Sequence, residues 1–331
     1  MPISELADTM SGWGRLAPSP TGAQHLGNAR TYLLTYWAAL ALDQQLVLRI
    51  EDINSPRVKP WATQQAIDDL AWLGIRWQQG PDLGGPHEPY VQSRRTKLYD
   101  AWLQQLIDRD LAYPCTCSRG DVAAAADAPH RGDHVVVYPG TCSGWHVGDS
   151  LPPQGTYSWR FRTKDAPCRF DDAIAGTQTC ESVSQRWGDF PLTRKTGEVA
   201  YQLAVVVDDI EMGITQVVRG DDLITSTFWQ LELYAAFDAK PPDYAHVPLV
   251  VGTDGRRLAK RHGDSRLSQY RDRGVAAQTV IAWAAKTLGL ASEDQPDDSL
   301  SHQRIVDHFQ WSAIRHEVAV VEDTRGFGGV T

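Results

Sequence analysis

Apolar and polar positions follow different periods along this chain, and the changes of period mark its elements. Residues 26–42 (LGNARTYLLTYWAALAL) string helix formers and aromatics together without a breaker, which predicts a helix. Gln44 and Gln45 end it before residues 46–50, an apolar run of strand length. Upstream, residues 14–22 (GRLAPSPTG) begin apolar and are then broken by Pro18 and Pro20, as in a strand that runs into a constrained loop. Strand, loop, helix and strand open a right-handed βαβ unit. Further helices are expected at 61–73 and 94–110.

Between residues 113 and 189 the texture changes. Cysteines, many Gly and Pro, a small-residue patch at 123–126 and an alternating stretch at 157–163 (YSWRFRT) point to an inserted mixed module. Regular α/β patterning resumes with the apolar runs 201–207 (YQLAVVV) and 214–218, both read as strands, then a helix near 226–237 and a strand near 247–251. Helical pattern returns after Asp264, clearest at 275–288, with a second candidate at 302–308 beyond the acidic stretch 292–298. The glycine-rich tail 325–331 is expected to be disordered.

Composition narrows the picture. A chain of 331 residues, 42% hydrophobic and 22% charged, excludes a disordered or fibrous protein. No apolar stretch approaches the roughly 18 residues of a membrane span, and the first ten residues lack a basic start and an apolar run, so the expectation is a soluble, cytoplasmic protein without membrane contact. Five cysteines, with Cys115 and Cys117 close together, fit metal or redox chemistry better than a disulfide framework. A net charge of −9 argues against non-specific coating of nucleic acid, while leaving room for a local basic face.

The candidate chemistry lies in separate blocks. His25-Leu-Gly-Asn28 sits where a loop enters a helix, so unpaired N–H groups, Gly27 and the His25 imidazole offer an anion site; alone, a His there is commonly a surface residue or a cap. Arg49-Ile-Glu-Asp52, Asp208-Asp209 and Arg219-Gly-Asp-Asp222 close apolar runs, the edge at which open α/β sheets bind ligands. A carboxylate such as Glu51 can hold an amino group, and an arginine such as Arg219 can grip a carboxylate in two places. The basic loop 255–261 (GRRLAKR) is either a solvated turn or a clamp for a polyphosphate. Cys115, Cys117 and Cys142 form the start of a structural zinc site whose fourth ligand is left among His130, His134, His146 and Tyr138.

In combination these blocks resemble the catalytic core of glutamyl-tRNA synthetases, class I enzymes with HIGH and KMSKS signatures. The resemblance is carried by RLAPSPTG (15–22), HLGN (25–28), RIED (49–52), YQLAVVVDD (201–209), VRGDDL (218–223) and RLAKR (257–261), in the expected order. The chain ends soon after the KMSKS-like loop, and Cys115, Cys117, Tyr138 and Cys142 match a C-x-C, Y-x-x-x-C pattern, which places the resemblance with the glutamyl-Q tRNA(Asp) synthetases. That resemblance implies an α/β fold: a Rossmann-type catalytic domain split into 1–112 and 190–262, a zinc-bearing acceptor-like mixed insertion at 113–189, and a short helical C-terminal region at 263–331.

It further implies a ligase, a monomer, that activates glutamate with ATP and Mg²⁺ without tRNA, then transfers it to queuosine at the first anticodon position of tRNA(Asp). Glutamate would be bound by Arg15, Ser19, Glu51, Tyr201 and Arg219. ATP would be bound by His25, Gly27, Asn28 and Lys260, with His25 and Lys260 assisting the chemistry. One structural Zn²⁺ would be held by Cys115, Cys117, Tyr138 and Cys142. Asn28 stands where the HIGH pattern has its second His, and Arg257 and Ala259 stand for the first Lys and the Ser of KMSKS. Two other readings share most of these residues: a truncated glutamyl-tRNA synthetase that charges a tRNA 3′ end, and a catalytically silent paralogue that binds RNA or protein.

Overall fold

The structure, a computed structural model, describes residues 12–20, 24–53, 59, 61–125, 137–256, 258 and 266–321. In chain order the first elements are β1 (Trp13–Leu16), α1 (Leu26–Ala41), β2 (Gln45–Leu48), α2 (Ala62–Trp72), α3 (Thr96–Asp108), β3 (Ala112–Cys115) and α4 (Arg119–Ala125). The middle of the chain holds β4 (Ser158–Phe161), β5 (Cys168–Asp172), β6 (Gly176–Cys180), α5 (Val183–Trp187) and β7 (Phe190–Pro191). Then come α6 (Tyr201–Glu211), β8 (Gln216–Gly220), α7 (Ile224–Ala236), β9 (Asp243–Val247), β10 (Val250–Gly252), α8 (Leu267–Asp272), α9 (Ala277–Leu288), α10 (His302–Val306) and β11 (Ala319–Val321).

One sheet of six strands organises the molecule in the order β2-β1-β8-β9-β5-β6, parallel throughout except for the β5–β6 hairpin. Strand β1 feeds α1 and β2 on one side and pairs with β8 on the other, so its C-terminal end is where the order of strands diverges and a crevice opens. Sheet membership cuts across the segment 113–189: β5 and β6 extend the large sheet, whereas β3 and β4 form a small antiparallel sheet with β7.

Helix α1 is apolar nearly all round because it is covered on two sides. Leu26, Leu33, Leu34 and Trp37 are fully buried in one core with Leu16, Leu48 and Val218 of the sheet and with Val280, Ala284 and Leu288 of α9. Arg30, buried in the same helix, donates to the carbonyls of Pro248 (2.7 Å) and Thr287 (3.2 Å), and Trp37 donates to His302 (2.9 Å). The C-terminal region is thus packed onto the helix that starts at the crevice. It is helical as expected and adds β11, which pairs parallel with β10. The tail 325–331 lies outside the described residues.

The run 201–207 differs from its expected form. It begins helix α6, in which residues 203–209 are all buried. A short continuous apolar run has no period to separate a buried strand from a buried helix, and here packing against α3 and α7 overrides the β preference of Val205, Val206 and Val207. Asp208 and Asp209 are therefore not strand ends open to the crevice.

Helix α2 is tied to α8 by Asp69, whose carboxylate lies 3.4 Å from Arg271. Burial outweighs that ion pair and pushes the Asp69 carboxyl up to about 6. A carboxyl whose folded pKa is raised carries a penalty that is absent at low pH and grows as the pH climbs from about 4 past 6. Asp69→Asn is expected to raise the unfolding free energy by about 2–3 kcal/mol at pH 7.5 and by little at pH 4. Denaturant titration at the two pH values checks this; a variant destabilised equally at both would contradict it.

Candidate active site

At the C-terminal ends of β1 and β8 lies a cavity of about 380 Å³. The sequence blocks converge there: Arg15, Ser19, His25, Gly27, Asn28, Glu51, Tyr201 and Arg219 all line it. Lys260 lies outside the described residues.

Each wall has a local cause. Pro18 and Pro20 carry the chain away from β1 so that the first turn of α1 faces the cavity. His25 precedes that turn with extended backbone (φ −116°, ψ 171°), and its N–H donates to Asn28 Oδ1 at 3.3 Å. This use of the amide oxygen leaves the Asn28 NH₂ as the donating group, so Asn28 keeps N–H donors to offer an anion. A Cβ on Gly27 would come within 3.1 Å of the His25 ring, so the space this glycine leaves is taken first by the imidazole. The N-terminal N–H groups of α1 add partial positive charge beside it.

Arg15 and Arg219, the penultimate residues of β1 and β8, are each 5% exposed. Glu51 follows β2 and is held by Arg49 through a single oxygen, Oε1, at 3.0 and 3.3 Å; Oε2 accepts no bond among the described residues. Burial pushes the Glu51 carboxyl above its ordinary range, against the pull of Arg49 and Arg15. Tyr201, the first residue of α6, has its phenol raised by burial and then by the charge of Glu51. The cavity therefore presents two buried guanidinium groups and one buried carboxylate, with a phenol beside them.

Beneath it the acidic pair of α6 closes a charge network. Asp209 lies 2.7 Å from Arg49 and 3.5 Å from Arg15, while Asp208 accepts from Arg95 (2.7 Å), Gln92 (2.8 Å) and Tyr99 (2.9 Å). These groups hold the site's arginines and do not open to a ligand. Asp52 likewise turns away and accepts from Ser93 N–H and Oγ at 2.7 and 2.6 Å.

Sequence reasoning missed the support of Arg219. Its Nε donates to His246 Nε2 at 3.0 Å and its Nη2 to Thr227 Oγ1 at 2.7 Å. The only signal was a lone His inside the apolar strand β9.

A second constellation lies at the end of β3. The sulfurs of Cys115, Cys117 and Cys142 fall within 4.8 Å of one another, with Cys117 and Cys142 3.7 Å apart. Three thiolates about 2.3 Å from one tetrahedral zinc stand close to that separation. The Tyr138 hydroxyl is 3.3 Å from Cys115 Sγ and accepts the Cys142 N–H at 2.8 Å. Arg160 lies 3.9 Å above the Tyr138 ring, while burial and then the bond to Cys115 push the Tyr138 phenol above its ordinary range. His146 instead bonds Asp110 at 2.6 Å; His130 and His134 lie outside the described residues.

The family model for the catalytic domain of class I tRNA synthetases (E and Q) matches residues 13–325. A glutamyl-Q tRNA(Asp) synthetase of Rhodopirellula baltica is 52% identical over 96% of this chain and 98% of its own length. The chain belongs to the glutamyl-Q tRNA(Asp) synthetase family. A second relative of that name, from Nitratidesulfovibrio vulgaris, is 44% identical over 86% of this chain and 88% of its own. The crystal structure of a glutamate tRNA ligase from Elizabethkingia meningosepticum, in complex with its amino acid, superposes with a TM-score of 0.79 at 28% identity, covering 96% of this chain and 68% of that one. The family's catalytic domain accounts for the mixed α/β fold, and its members are ligases. No described helix is long and apolar enough to cross a membrane.

Proposed function

We propose that this chain activates glutamate with ATP and Mg²⁺ and transfers it to the queuosine base of tRNA(Asp). The observation that carries the reading is the charge of the cavity. Arg15 and Arg219 oppose a ligand with two carboxylates, and the unbonded oxygen of Glu51 opposes one ammonium group, the pattern of glutamate. Arg219 grips one carboxylate, Arg15 the second or a phosphate oxygen, and Tyr201 and Ser19 close the sides.

Activation needs no nucleophile from the protein. The α-carboxylate of glutamate attacks the α-phosphorus of ATP, the bond to the β-phosphate oxygen breaks, and pyrophosphate leaves. His25, Asn28 and the N-terminus of α1 line the cavity where phosphate charge builds up, and Lys260 brings further positive charge from the basic loop. A hydroxyl of the queuosine cyclopentenediol then attacks the activated carbonyl and releases AMP.

The same reading assigns one zinc per chain to Cys115, Cys117, Cys142 and Tyr138. Four protein ligands leave no position for water, so the metal would crosslink the residue 113–189 region and take no part in the reaction. The catalytic domain would then comprise residues 1–112 and 190–262 together with the β5–β6 hairpin that extends its sheet, followed by the C-terminal region.

Labelled glutamate supplied with ATP should appear on tRNA(Asp) that carries queuosine, within the anticodon fragment after nuclease cleavage, and not on tRNA(Glu). Equal labelling of tRNA(Asp) without queuosine, or label at the 3′ adenosine, would refute the assignment.

A further inference from the structure

We propose that His246 and Asp172 are positioning residues that aim Arg219 at the substrate carboxylate, an inference that rests on the glutamate reading of the cavity. A guanidinium only donates hydrogen bonds, so the 3.0 Å contact from Arg219 Nε requires His246 Nε2 to be unprotonated. The ring proton is then on Nδ1, 2.6 Å from Asp172 Oδ2. Asp172 is itself fixed by backbone N–H groups: Ile174 and Ala175 donate to Oδ1 at 3.0 and 2.7 Å, and His246 donates at 3.0 Å. The line from carboxylate to imidazole to guanidinium is buried along its whole length, with His246 0%, Arg219 5% and Asp172 6% exposed.

The tautomer gives the arrangement its use. With Nε turned to His246 and one Nη2 proton on Thr227, Nη1 makes no bond among the described residues and the rest of the fork faces the cavity. The carboxylate partner usual for a buried arginine is replaced by a neutral imidazole. Arg219 is thereby oriented without being neutralised, and its full charge remains for the ligand. Burial favours the neutral ring, and Arg219 beside it also disfavours a second positive charge.

Glutamate-dependent ATP–pyrophosphate exchange on two His246 variants tests this, with thermal unfolding as a control for folding. His246→Asn shortens the side chain and withdraws the acceptor at Nε2, whereas His246→Gln can return an amide oxygen to that place. His246→Asn is expected to raise the KM for glutamate by about tenfold to a hundredfold while the KM for ATP changes by less than about threefold. His246→Gln should recover most of the loss, which a general loosening of the core would not do. An unchanged glutamate KM in His246→Asn, an equal rise for both substrates, or a Gln variant as impaired as Asn overturns the positioning role alone. Absence of glutamate-dependent exchange in the wild-type enzyme overturns the glutamate reading together with it.

Discussion

Arg219→Ala is expected to raise the KM for glutamate roughly a hundredfold or more in ATP–pyrophosphate exchange, with a smaller effect on kcat. The guanidinium is buried, and its bonds to His246 and Thr227 fix its direction before any ligand arrives. Removing one partner of a buried, hydrogen-bonded charge pair costs about 2–5 kcal/mol, because the substrate carboxylate is then desolvated without a partner. Lys260→Ala should show the opposite split, lowering turnover more than glutamate affinity, since charge that meets a departing pyrophosphate acts in the transition state. An Arg219→Ala enzyme with wild-type glutamate KM and low kcat would remove Arg219 from the carboxylate site.

Cys115→Ser is expected to abolish zinc binding, measured as metal per chain in protein purified without chelator. Cys115 is fully buried at the end of β3, and the three sulfurs are already gathered. Folding around such a metal is worth on the order of 10 kcal/mol, so the β3–β4 region should become sensitive to protease when the metal is lost. Tyr138→Phe should weaken retention against a competing chelator without abolishing it, because three thiolates carry most of the affinity. Wild-type protein without zinc would overturn the site, as would a Tyr138→Phe variant that holds metal as tightly as wild type while His134→Ala releases it.

Much of this was legible in the sequence because the chemistry sits where local patterns change. Arg15, His25, Glu51 and Arg219 each stand at or beside the C-terminal end of a strand or the start of a helix, and those boundaries are marked by Pro18, Pro20, Gly27 and Gly220. Helices α1, α2, α3 and α9 lie within a few residues of their expected spans, since long periodic runs report on their own burial. What stayed hidden depends on partners far along the chain. The helical state of 201–207 comes from packing against α3 and α7, and the burial of Asp208 and Asp209 is matched by Arg95 and Arg49, more than a hundred residues upstream. The role of His246 requires Asp172, reached only through sheet pairing between β5 and β9. Single-residue spacing carries no trace of either.

The β5–β6 hairpin decides how this molecule can be cut and recombined. It lies in sequence among the residues that build the small sheet beside the cysteine cluster, yet it forms the edge of the large one. A chimera that exchanges residues 113–189 with a relative as one cassette would replace that edge and carry Asp172 away from its partner on β9. The unit that can be exchanged is discontinuous: β3, β4 and β7 travel together, while the hairpin stays with the recipient. Shuffling experiments that respect this seam should yield folded proteins with the recipient's glutamate affinity, and those that cut across it should lose that affinity first.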